Sequence, residues 1–99
     1  MNLRIQSINF DASQALESYV TKKTKKLNRL FDDIINVEVY LKVVKPEAAA
    51  NKEASIKTSV SSAEFFASKV CDTFEEAVDL SLEAIERQIV KFKEKLIKK

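Results

Sequence analysis

The 99-residue chain has no glycine, no histidine, one proline and one cysteine. Each scarcity excludes something. Without glycine there is no phosphate-cradling P-loop, no G-x-G-x-x-G turn and no G-x-S-x-G nucleophile elbow. Without histidine there is no Ser-His or Cys-His pair and no imidazole metal site. The lone Cys71 can form neither an internal disulfide nor a thiolate cage. No apolar stretch approaches the ~20 residues of a membrane-spanning helix. Residues 1–10 lack the charged-then-apolar layout and small-residue cleavage site of a secretion signal. The expectation is a soluble cytoplasmic protein that is not an enzyme and uses no metal, cofactor or small-molecule substrate.

What is present suits one globular domain over 1–99. Hydrophobic residues make up 45%, enough for one core, and charged residues 32%. The net charge of +2 conceals a segregation. Residues 12–31 carry five bases against Glu17, residues 32–79 carry ten acids against five bases, and residues 80–99 carry six bases against three acids. Two basic segments flanking an acidic middle suggest a polyanionic partner met by two separate elements.

Residues 2–8 alternate, with Leu3 and Ile5 on one face, and read as a short strand. Asp11 and Ser13 offer N-caps for a helix reaching about Leu30, whose apolar stripe is Leu16, Tyr19, Val20, Leu27, Leu30 and Phe31. Residues 36–44 form a strongly alternating strand through Val37, Val39, Leu41 and Val43. A loop over 45–51 holds Pro46, which a central strand would not accept. Strands over 53–60 and 64–70 read as a hairpin joined at Ser61-Ser62-Ala63, although that turn lacks the usual Asn-Gly. Asp72 with Glu75, or Thr73 with Glu76, then caps a long helix whose inner face runs Phe74, Ala77, Val78, Ser81, Ile85, Ile89, Phe92, Leu96. The order β-α-β-β-β-α predicts an α+β fold: a four-stranded sheet, its first two strands parallel, with both helices packed on one face.

On the first helix, Lys22, Lys25, Lys26 and Arg29 fall opposite the core stripe, and Lys23 lies at the seam. On the second, Arg87, Lys91, Lys95 and Lys98 recur as one cationic stripe, with Lys93 pointing elsewhere. The helix macrodipole favours acids at the start and bases at the end of a helix, but it acts within about one turn of each terminus. It does not account for Arg87, Lys91 or the mid-helix cations of the first helix. The two faces are therefore read as a surface for phosphates, recognised by shape more than sequence, with a merely solvated face as the alternative.

Other residues carry less. Phe10, Phe31, Phe65, Phe74 and Phe92 have core spacing, which leaves Tyr40 and Phe66 as candidates for stacking on an open sheet face. Asp32-Asp33 reads as a solvated helix end rather than a metal site. Cys71, just ahead of a helix, could be activated, but with no base beside it a packed role is expected.

The element order, the lysines of the first helix and the run Ala84-Ile85-Glu86-Arg87-Gln88-Ile89-Val90-Lys91 resemble the bacterial ribosome hibernation promoting factors. That family includes ribosome-associated inhibitors and carries the older label of sigma-factor modulation proteins. Residues Ala15-Leu16 through Lys26-Leu27, and Ile34-Ile35-Asn36, are similar too. The resemblance implies a fold like the double-stranded-RNA-binding domain. It also implies binding to small-subunit rRNA near the decoding channel and inhibition of translation in idle cells. By position it places RNA contacts at Lys23 and Lys26, with Lys22, Lys25 and Arg29 beside them, and at Arg87 and Lys91, with Lys93 and Lys95 following. Two features depart from the family: Lys69 stands where a glycine is common, and the 61–63 turn differs. A short-type factor is expected, without a C-terminal dimerisation domain, so that ribosome pairing would call for a separate partner. The rival reading is a protein-interaction adaptor or sigma-factor modulator that docks an acidic partner.

Overall fold

Alternating and helical periodicities each need a partner for their apolar side, and here they share one. The computed structural model describes residues 2–8, 10–45 and 49–97. Its elements are β1 (Asn2–Ile8), α1 (Gln14–Leu30), β2 (Ile34–Val43), β3 (Lys52–Val60), β4 (Ala63–Cys71) and α2 (Phe74–Ile97). The strands lie in the order β1-β2-β3-β4, with β1 parallel to β2, as the helical crossover between them predicts, and the other pairs antiparallel. Val37, Val39 and Leu41 of β2, Ala54 and Ile56 of β3 and Phe65 and Ala67 of β4 are buried on one face. Against them pack Leu16, Val20 and Leu27 of α1 and Val78, Ile85 and Ile89 of α2. Each such aliphatic side chain contributes about 1.5–3 kcal/mol by leaving water.

The helix starts follow side-chain chemistry. Ser13 Oγ accepts from the Leu16 N–H at 3.1 Å, and Thr73 Oγ1 from the Glu76 N–H at 3.1 Å. Of the two candidates at each start, Ser13 and Thr73 are the caps, each satisfying an otherwise orphaned donor.

Three local features differ from the sequence expectation. β2 begins at Ile34 rather than residue 36. Ile34 and Val37 are both buried although an odd spacing would put them on opposite faces, and the register shift between Ile34 and Asn36 resolves this. Ile35 bulges outward there, which hides the strand start from a period-two reading. The β3–β4 turn is the two residues Ser61-Ser62, with Ala63 already paired to Val60. Among the described residues Lys45 has a positive φ, 46°, a left-handed position that glycine would normally take. The Val44 N–H bonds the Asn51 carbonyl at 2.8 Å to close that loop, whose Pro46 lies outside the described residues.

The core also holds hydroxyls, at Ser81 as the inner face of the second helix predicts and at Thr24, which the apolar stripe of the first helix leaves out. Thr24 Oγ1 donates to the Val20 carbonyl at 2.9 Å and Ser81 Oγ to the Ala54 carbonyl at 3.1 Å. Both are fully buried at little cost because their protons are used. Thr58 Oγ1 is buried with no hydrogen-bond partner among the described residues.

β4 points the same way as β2 and β1, because two antiparallel steps restore direction. α1 returns from β1 and α2 from β4, so the two helices run parallel. Their contacts agree: Tyr19 meets Asp79 near the start, and Leu30 meets Lys93 near the end. Ring pairs support both ends. Phe10 stacks on Phe74 at 4.6 Å, and Phe92 makes edge contacts with Phe31 at 6.1 Å and Phe65 at 5.5 Å.

Candidate nucleic-acid interface

Burial of Leu16, Val20, Thr24 and Leu27 turns the opposite side of α1 outward. Lys22, Lys25, Lys26 and Arg29 are accordingly exposed. On α2, burial of Val78, Ile85 and Ile89 leaves Arg87, Lys91 and Lys95 exposed. Because the helices are parallel, both cationic segments lie toward the same end of the molecule. Sequence order alone leaves that juxtaposition open.

Lys23 and Lys93 differ from these seven. Lys23 Nζ lies 3.7 Å from Asp79 Oδ1 and 5.4 Å from the Tyr19 ring centroid. The Tyr19 hydroxyl donates to the same carboxylate, 2.8 Å from each oxygen. Burial, then the bond to Asp79 and its negative charge, push the Tyr19 phenol up to about 12. Lys93 Nζ donates to the Leu30 carbonyl at 2.9 Å and sits 5.9 Å from the Phe31 ring centroid. Lys98 lies outside the described residues.

The outward sides of the helices do not merge into one uninterrupted cationic surface. A groove of about 320 Å³ runs between them, lined by Lys23, Lys26, Asp79, Leu82, Glu83 and Glu86. Over the earlier part of the helix pair, α1 cations thus face α2 carboxylates. Sequence reading missed this seam. Its available signal was the spacing of Asp79, Glu83 and Glu86 at i, i+4 and i+7, one stripe of α2.

The remaining candidates resolve simply. Cys71 is buried, and burial first, then Glu76, raise its thiol pKa, which opposes nucleophile chemistry. Asp32 and Asp33 are exposed, with Ser61 Oγ donating to Asp33 Oδ2 at 2.6 Å. No group of three potential metal ligands occurs among the described residues, and no described helix is long and apolar enough to cross a membrane. On the open sheet face Phe66 is 58% exposed, while the Tyr40 hydroxyl is bound to Glu38 Oε2 at 2.9 Å. β3 separates the two rings, so they form no continuous stacking platform.

Residues 3–97 match the family model described as Sigma 54 modulation protein / S30EA ribosomal protein. A ribosome hibernation promoting factor of Azotobacter vinelandii is 32% identical over 99 residues, 100% of this chain and 89% of that protein. One of Escherichia coli K12 is 34% identical over 96 residues, 97% of each chain. A ribosomal subunit interface protein from Coxiella burnetii superposes with a TM-score of 0.84 at 22% identity, covering 94% of this chain and 98% of that one. The N-terminal domain of Thermus thermophilus Protein Y gives 0.78 at 22% identity, covering 93% and 99%. These two structures support the fold.

Proposed function

The chain belongs to the Sigma 54 modulation protein / S30EA ribosomal protein family, and on that premise we propose that it is a ribosome hibernation factor. It acts in the cytoplasm, binds the small ribosomal subunit near the decoding channel and inhibits translation in idle cells, without catalysis. The observation that carries the mode of binding is the parallel pairing of α1 and α2, which brings two basic segments toward one end of the molecule. Lys22, Lys25, Lys26 and Arg29 from α1 and Arg87, Lys91 and Lys95 from α2 contact rRNA phosphates. Lys23 stands beside them, its charge shared with Asp79. Phosphate contacts of this kind read the shape of folded RNA and displace counterions, so binding weakens steeply with salt.

A sucrose gradient of stationary-phase lysate at low salt tests the proposal. The protein should travel with small subunits or ribosomes and leave them as salt rises. Recovery only in the soluble top fractions overturns the ribosome reading and favours an adaptor docked on an acidic protein.

A further inference from the structure

The last carbonyls of a helix have no partner within it, and together they carry a partial negative charge of about half a unit. At the end of α1 that charge lies beside Arg29, where the proposed interface needs phosphate to approach. Lys93, from the neighbouring helix, puts its ammonium there. Nζ donates to the Leu30 carbonyl at 2.9 Å and lies over the Phe31 ring, whose edge contact with Phe92 fixes the adjacent residue of α2. The side chain is only partly exposed, unlike those of Lys91 and Lys95 on either side.

We propose that Lys93 is a positioning residue that caps α1 from α2, neutralises the negative end of α1 and holds the two cationic segments in fixed relation, and that it does not itself contact phosphate. The inference rests on the RNA-binding reading above. It reassigns one residue that the family resemblance places among the RNA contacts. Taking Lys93 to a phosphate would break its bond to Leu30 and re-expose the helix end that repels the same phosphate. Lys91, an exposed residue, carries no such obligation.

The test compares Lys93→Met, Lys93→Arg and Lys91→Met in the full chain. Each is followed by thermal melting and by binding to purified small ribosomal subunits across a salt series. Lys93→Met should lower Tm by roughly 4–8 °C, the shift expected when a chain of this size loses one partly exposed hydrogen bond. It should weaken binding while leaving the log–log salt slope at the parent value. Lys93→Arg should restore both, since a guanidinium can donate to the carbonyl and stack on Phe31. Lys91→Met should leave Tm unchanged and reduce the slope by roughly 0.7–0.9, one phosphate contact. A slope reduced in Lys93→Met as in Lys91→Met, with Tm unchanged, overturns the proposal. If the parent does not bind subunits, the ribosome reading fails, and melting alone decides the cap: an unchanged Tm in Lys93→Met rejects it.

Discussion

The two ends of the α1–α2 pair use the same kinds of residue to different effect. Near the start, Lys23, Tyr19 and Asp79 satisfy one another across the seam, and the groove beside them mixes lysines with Glu83 and Glu86. Near the end, a neutral carbonyl occupies Lys93 alone, and Arg29, Lys91 and Lys95 stay exposed. The contrast separates cations that the fold has already engaged from cations it leaves exposed.

The most drastic way to break the comparison is to remove the core that both ends share. Leu41 is fully buried in the centre of the sheet. Leu41→Asp places an unpaired charge there and should cost more than about 4 kcal/mol, abolishing the cooperative melt and all ribosome binding. A parent-like Tm would remove Leu41 from the core.

Charge reversal probes one exposed cation on each helix, Lys26 at the rim of the groove and Lys91 at the far end. Lys26→Glu and Lys91→Glu should leave Tm within a few degrees, because exposed ion pairs are worth ~0–1 kcal/mol. Each should weaken subunit binding and lower the magnitude of the salt slope by at least roughly 0.7–0.9, with nearly additive losses in the double mutant. Unchanged affinity in a folded Lys91→Glu protein would take α2 out of the interface and leave its basic end to the macrodipole.

The satisfied end should respond in the opposite sense. Tyr19→Phe removes the hydroxyl bonded to Asp79 and should cost about 1 kcal/mol of stability with little change in binding. The phenol is raised from 10.0 to about 12 in the folded chain, so its contribution is complete below pH 10 and disappears as the pH rises through 12. Alkaline melts of the parent should therefore lose more Tm between those values than melts of Tyr19→Phe. A parallel pH profile in the two proteins would reject the interaction.

The smallest effect serves as a control on both ends. Thr58→Val replaces a buried, unpartnered hydroxyl with a methyl of nearly the same size and should raise stability by about 1 kcal/mol. Calorimetry should find a higher Tm, and binding at fixed salt should not change. If binding shifts with stability alone, the reading of the charge mutants must be corrected for it.

Much of the fold was legible because its signals are local. Val37, Val39 and Leu41 declare a strand face by alternation, and Ser13 and Thr73 declare helix starts by offering a hydroxyl to a nearby donor. The start of β2 was not legible, because the bulge at Ile35 breaks the period just where it must be read. Thr24 was missed as a core residue because its hydroxyl is satisfied within its own helix, which no hydropathy pattern records. The exposed cations of α1 and α2 followed from helical projection, whereas the partners of Lys23 and Lys93 did not. Those partners lie 56 and 63 positions away along the chain.

The sequence by itself determined the class of protein: no glycine or histidine chemistry, two amphipathic helices with basic outer faces, and alternating strands enough for one sheet. All of these depend on residue type and on spacings of a few positions, where backbone geometry leaves little choice. Only the tertiary structure decided that the helices run parallel, that their basic ends lie together and that Asp79 and Leu30 engage two of the lysines. Those outcomes depend on strand order and on contacts tens of residues apart, which are set when both helices bury their apolar stripes on the same face of the sheet.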